Sequence, residues 1–297
     1  LKEAGEAVEG NLARSQYDYS PDGTKLTFAG IQNDLTEETY DAGTAIQIYK
    51  ADVRKIGGDE SIRDIAKVSS LSAGLKRLPS ISNNGEILFM SLGEGTDDNS
   101  GSALSEAETW TIHHIDEDGN VADLTKGAFP KWLNDDSFLF MKKDGLYRYT
   151  MGGRSDTGDT DMKTEDVEQS DEGTETLVVP SAGGSTITNM QISVSSDGRR
   201  FAWNSPDNGK VFIFEVDDWE AETIKPQPLM IVEANGFWPT LSPSGDMLAL
   251  QEVDWENIET YPKPHVTFYD LNKFEKFQYD INLDEYWQNY MFINDWR

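Results

Sequence analysis

The three histidines of the chain, His113, His114 and His265, are the first residues to test for chemistry. Neighbours on a strand point to opposite faces, so His113 and His114 do not converge on one metal ion. No His-Glu-x-x-His motif supplies the alternative helical spacing. Cysteine is absent, which removes disulfides, thiolate nucleophiles and Cys-ligated zinc. There is no Gly-x-Ser-x-Gly elbow and no phosphate-cradling Gly-Lys-Ser/Thr. Two Asp-x-Asp elements, within 116–120 and 156–161, suggest calcium, but neither continues with the further oxygen ligands of an EF-type loop. The first reads as a hairpin turn and the second as part of an acidic loop. No metal ligands and no catalytic set are assigned. No cofactor is expected, with calcium the one ion the acidic loops leave open. Asp18 and Lys131 form a conceivable pair near the axial channel, without a visible catalytic trio, and that pairing depends on where the chain puts them.

Their placement follows from a repeated hairpin. Ser20-Pro21-Asp22-Gly23 sits between two short apolar runs. Similar units recur at Ser82-Asn83-Asn84-Gly85, Leu133-Asn134-Asp135-Asp136, Ser195-Ser196-Asp197-Gly198 and Ser242-Pro243-Ser244-Gly245. Pro presets φ, Asp or Asn bonds the backbone two residues on, and Gly accepts positive φ. The spacings are 62, 51, 62 and 47 residues, which is the period of a four-stranded propeller blade. The fold expected is all-β: a β-propeller of four-stranded antiparallel blades, five in number, with six as the alternative. Residues 17–297 form one propeller domain, and 1–16 are a linker or a closing segment. The aromatic tail Tyr286, Trp287, Tyr290, Phe292 and Trp296 could close the ring by adding a strand.

The residue two before each turn anchor falls mid-way along the innermost strand. It is Asp18, Ser80, Lys131, Ser193 and Thr240 in turn. A glycoside hydrolase needs two or three carboxylates there, and only one of the five is acidic.

Strand alternation puts the turns on one rim and the long second-to-third-strand loops on the other. Those loops are 30–43, 92–108 and 252–263, in blades one, two and five, which are neighbours in a closed ring of five. They form an acidic crescent of Asp34, Glu37, Glu38, Asp41, Glu94, Asp97, Asp98, Asp254, Glu256 and Glu259. Tyr40, Trp255 and Tyr261 add aromatic anchors of the kind interfaces favour. The binding residues expected are Asp34, Glu37, Glu38, Tyr40, Asp41, Asp97, Asp98, Trp255, Glu256 and Tyr261.

The net charge of −29 argues against nucleic acid and anionic membranes and suits a basic partner. No apolar run is long enough to span a membrane. The first residue is Leu1, so an upstream anchor or fused domain is expected. Segment 155–175 holds nine carboxylates and one lysine and has too little apolar surface to bury.

The hairpins resemble those of TolB-type, WD-repeat-like propellers, whose blades carry Pro-x-aromatic-Ser-Pro-Asp-Gly. Pro79, Pro130 and Pro239 stand three residues before the anchors, and Tyr19 and Trp132 one before. Such propellers usually have six blades. The resemblance implies an interaction platform, or an accessory domain of a hydrolase, in a bacterial extracytoplasmic setting, with a cytoplasmic one as the alternative. The function expected is a non-catalytic protein- or peptide-binding module using the acidic loop face. The alternative is a carbohydrate- or peptide-directed hydrolase or a propeller domain of one.

Overall fold

The computed structural model describes residues 17–31, 46–56, 59–69, 76–92, 107–152, 173–181, 191–204, 210–221, 223–232, 236–253 and 264–280. They form five four-stranded antiparallel sheets arranged as the blades of a propeller. Blade one is β1 (Tyr17–Tyr19), β2 (Lys25–Ile31), β3 (Ile46–Ile56) and β4 (Asp59–Lys67). Blade two is β5 (Lys76–Ile81), β6 (Ile87–Leu92), β7 (Trp110–Ile115) and β8 (Val121–Lys126). Blade three is β9 (Ala128–Asn134), β10 (Ser137–Lys142), β11 (Gly145–Thr150) and β12 (Thr174–Pro180). Blade four is β13 (Ile192–Val194), β14 (Arg200–Asn204), β15 (Val211–Glu215) and β16 (Gln227–Val232). Blade five is β17 (Gly236–Leu241), β18 (Met247–Val253), β19 (Pro264–Asp270) and β20 (Glu275–Asp280).

The five repeats are therefore five blades, and each hairpin joins the first two strands of its sheet. Four of them share a serine hydroxyl that accepts a backbone amide and a glycine amide that returns to the serine carbonyl. In blade one, Ser20 Oγ donates to Asp22 Oδ1 (2.6 Å) and accepts from the Lys25 amide (3.0 Å), while the Gly23 amide returns to the Ser20 carbonyl (2.8 Å). Ser195, Asp197, Gly198 and Arg200 repeat these contacts in blade four. Gly23, Gly85, Gly198 and Gly245 all take positive φ, between 69° and 89°. Blade three differs. Asn134, not Leu133, caps its turn, accepting from the Asp136 amide (2.9 Å) and the Ser137 hydroxyl (2.9 Å). The loop shrinks to Asp135-Asp136, because Asn134 and Ser137 pair directly.

Packing follows strand order. Second strands lie between neighbouring blades and are buried on both faces, as in Ile87–Leu92 and most of Ser137–Lys142. Outer strands such as Thr174–Pro180 are mostly exposed. Apolar clusters fill the seams. Ala29 and Ile48 of blade one meet Ile81, Ile87 and Phe89 of blade two. Leu88 and Ile112 meet Trp132, Phe138 and Phe140. Val211 and Ile213 meet Leu248 and Leu250. In blade one Leu26 and Phe28 face away from this first seam, as the alternation of β2 requires.

The third strand of blade one is long, running from Ile46 to Ile56. Asp52 and Arg54 point to solvent and Val53 inward, a half-buried alternation that its polar composition obscures.

A second regularity marks the inner strands. Leu78, Phe129 and Trp238 each precede a proline and each adopt positive φ, of 49°, 58° and 53°. Each sits at a break in the pairing of its strand with the next. The proline removes a ladder donor and the preceding residue takes up the bulge. Blades one and four have Tyr17 and Ile192 in place of proline, and their described inner strands are three residues long.

Candidate functional site

Four of the five inner-strand positions expected at the axis, Asp18, Ser80, Lys131 and Ser193, make hydrogen bonds to other blades. Asp18 Oδ2 accepts from Ser80 Oγ (2.9 Å) and from the Ile81 amide (3.2 Å) of blade two. Ser80 Oγ in turn accepts from the Trp132 amide (3.2 Å) of blade three. Ser193 Oγ accepts from the Leu241 amide (2.9 Å) of blade five. These three amide bonds share one rule: a side chain on one inner strand receives the amide one residue past the matching position in the next blade. Each such bond satisfies a buried donor that the strand's own ladder does not reach.

Lys131 cannot accept a hydrogen bond, so it cannot play this part toward blade four. Its Nζ crosses instead to Asp18 Oδ1 and forms an ion pair. Asp18 is 4% exposed, so its carboxylate has partners on both oxygens in place of water.

This trio of Asp18, Ser80 and Lys131 divides the axial space into two small cavities. One, about 50 Å³, opens toward the turn rim beside Ser20, Pro21, Ser196 and Pro243. The other, about 40 Å³, opens toward the loop rim among Tyr17, Leu78, Phe129 and Ile192. One water needs about 10–15 Å³ of space for its centre, and drug-sized ligands need several hundred. The turn rim is also tied together. Ser196 donates its amide to the Pro243 carbonyl (2.8 Å) and its hydroxyl to the Pro21 carbonyl (3.2 Å). The Asp22 amide bonds Asn83 Oδ1 (2.9 Å), and Lys25 Nζ bonds the Asn83 carbonyl (2.7 Å).

The structure thus brings Asp18 and Lys131 together, as their positions in the repeat suggest. What sequence reasoning missed is Ser80 as the third member. Its signal was available, since it occupies the same inner-strand position one blade on.

The ten crescent residues Asp34, Glu37, Glu38, Tyr40, Asp41, Asp97, Asp98, Trp255, Glu256 and Tyr261 lie outside the described residues, as does segment 156–161. The 116–120 element is a turn: Asp116 accepts from both the amide and the side chain of Asn120 (2.8 Å each). Those two bonds hold its carboxyl below the ordinary value. Among the described residues, no three His, Cys, Asp or Glu are grouped to hold a metal ion. No helix among them is long and apolar enough to cross a membrane.

His113 and His114 turn to opposite faces of β7. His113 Nε2 is 2.7 Å from Ser91 Oγ, and its Nδ1 is 2.8 Å from Asp123 Oδ1. His114 instead pairs with the buried Glu86 at 3.4 Å.

No protein-family model matches the chain, and no curated protein does. Solved structures do. TolB from Acinetobacter baumannii superposes with a TM-score of 0.50 at 17% identity, over 91% of this chain and 55% of its own. A TolB-type structure from Agrobacterium tumefaciens gives 0.50 at 18% identity, over 89% and 79%. The periplasmic gluconolactonase of Pseudomonas aeruginosa gives 0.48 at 12% identity, over 91% and 73%. The chain spans little more than half the length of the Acinetobacter protein. At these identities the likeness speaks for the fold, and the chain shares with the TolB structures a β-propeller architecture, here built from five blades.

Proposed function

We propose that this propeller is a binding module that engages a protein or peptide through the loop-bearing rim, with basic character in the partner. The observation that carries the reading is the closed axis. Asp18, Ser80 and Lys131 satisfy one another, and the spaces beside them, about 50 and 40 Å³, are large enough for only a few water molecules. A sugar or peptide substrate does not fit there, which weighs against hydrolysis around Asp18. A rigid ring with long loops on one rim leaves recognition to those loops. Their carboxylates, together with a chain charge of −29, favour a cationic partner through long-range attraction. An extracytoplasmic location belongs to the same reading.

The test is a titration of the protein with lysine- and arginine-rich peptides against acidic controls of matched length. Binding should fall as salt rises and be lost when Tyr40, Trp255 and Tyr261 are replaced together by alanine. Unchanged affinity in that triple variant, or equal retention of acidic and basic peptides, would sink the proposal.

A further inference from the structure

The seam between blades one and two holds a group of polar side chains away from the axis. Ser91 is the penultimate residue of β6, at the end that faces the loop rim. His113 lies on β7 beside it and Asp123 on β8 beyond. The three form one line across the sheet, at 2.7 and 2.8 Å. Asp123 is an acceptor when ionised, so His113 Nδ1 carries the proton and donates it. Nε2 is then left as the acceptor for the Ser91 hydroxyl. Phe89 stacks on the imidazole at 4.8 Å and fixes its plane.

The electrostatics agree with this geometry. Burial lowers the His113 pKa most strongly. Asp123 opposes that shift, and Lys126 and Lys76 add to it, leaving the ring below its ordinary value and so neutral at pH 7. Lys76 pairs with Ser91 across β5 and β6, which places both side chains on one face. Lys76 is fully buried, and its Nζ donates to the Ile46 carbonyl (3.3 Å). A nucleophile, a base, an orienting carboxylate and a cation therefore share one face of blade two.

We propose that Ser91, His113 and Asp123 form an acyl-transfer site off the propeller axis, acting on small carboxylic esters. Ser91 Oγ attacks the ester carbonyl as its proton passes to His113 Nε2. The bond to the leaving alcohol breaks, and that alcohol takes the proton from His113. Water then attacks the acyl–Ser91 ester, with His113 again taking and returning the proton, to release the acid and restore Ser91. Lys76 offers positive charge to the tetrahedral oxyanion. Asp123 is a positioning residue that holds the tautomer and changes no bond. Ser91 and His113 are each 5% exposed, which restricts the site to small acyl groups. The site is independent of rim binding and can hold whether or not that reading does.

The experiment is labelling of the folded protein by a fluorophosphonate, with the modified peptide mapped by mass spectrometry. Ser91 is expected to be the labelled residue, and labelling should vanish in Ser91→Ala. It should drop about 10²-fold in His113→Gln. Asp123→Asn changes an exposed side chain, so it keeps the fold even if His113→Gln does not. It should slow labelling and move the pH midpoint of the rate downward, because Asp123 raises the His113 pKa. Absence of label on Ser91, labelling no faster than in the urea-unfolded chain, or an unmoved pH profile in Asp123→Asn would overturn the proposal. The three residues would then be a fastening of the seam.

Discussion

Lys131 Nζ and Asp18 Oδ1 meet across the axis although their blades are not neighbours, with Ser80 of the intervening blade bound to the same carboxylate. The pair is more than a crossing contact, because the carboxylate also receives the Ile81 amide. Asp18→Ala strands that amide, the Ser80 hydroxyl and the ammonium together. It should cost about 3–5 kcal/mol in urea unfolding. Lys131→Met leaves Asp18 two donors and should cost less, about 1–3 kcal/mol. Equal values for the two, or values within about 0.5 kcal/mol of the parent, would remove the pair from the forces that close the ring.

Lys76 should make stability depend on alkaline pH. Burial and the nearby charge of Lys67 lower its pKa to about 8. The unfolded chain, with an ordinary lysine at 10.5, binds more protons between those two values. Stability therefore rises with pH from about 8 to 10.5 through this group, and the penalty is complete below 8. Lys76→Met should stabilise the protein at pH 7 by about 1–3 kcal/mol, after the loss of the bond to Ile46. The difference between parent and variant should shrink as pH rises through that window, as denaturation at pH 7 and pH 10 will show.

The turns predict a contrast between two glycines. Gly198 has φ 69°, and a Cβ there would lie 2.9 Å from the Leu133 carbonyl oxygen of the neighbouring blade. Gly119 has φ 85° with open space around it. Gly119→Ala should cost only the left-handed strain, about 1–2 kcal/mol. Gly198→Ala should cost about 2–4 kcal/mol because the seam must also give way. Thermal denaturation of both variants compares them directly, and equal shifts would mean that Leu133 yields freely.

Asp22 should matter less in acid. Its partial burial raises the pKa, but the Ser20 hydroxyl, the Thr24 amide and hydroxyl, and the Lys25 charge together bring the carboxyl below its ordinary value. A depressed carboxylate contributes stability above its unfolded pKa and loses it as pH falls through the folded one. Asp22→Ala should therefore destabilise the protein at neutral pH, and the gap should narrow as pH falls below the ordinary carboxylate value of 3.8. A gap that persists in acid would assign the effect to the turn backbone alone.

The blade architecture was legible because the turns repeat. Serine, a short acceptor and glycine at fixed offsets meet the same backbone needs each time, and the structure shows the same bonds at Ser20 and Ser195. Blade number followed from counting them. Asp18 and Lys131 were placed together by the same ruler. Ser80 was overlooked because a serine in a strand carries no sign of its partner until the neighbouring blade is in place. The relation of Ser91 to His113 and Asp123 was hidden for a similar reason. The three stand 22 and 10 residues apart on separate strands, and only the register of β6, β7 and β8 lines them up. The crescent from Asp34 to Tyr261 rests on loops outside the described residues, so its reading stays with the proposal.

The crossing from Lys131 to Asp18 also bears on vectorial synthesis. The two residues are 113 positions apart, so blade one leaves the ribosome long before its cation exists. A nascent blade one paired with blade two can offer Asp18 only the Ser80 hydroxyl and the Ile81 amide. The carboxylate therefore keeps its water until blade three arrives. On the ribosome this buried ion pair can therefore form only after the third inner strand, which carries Lys131, has been synthesised.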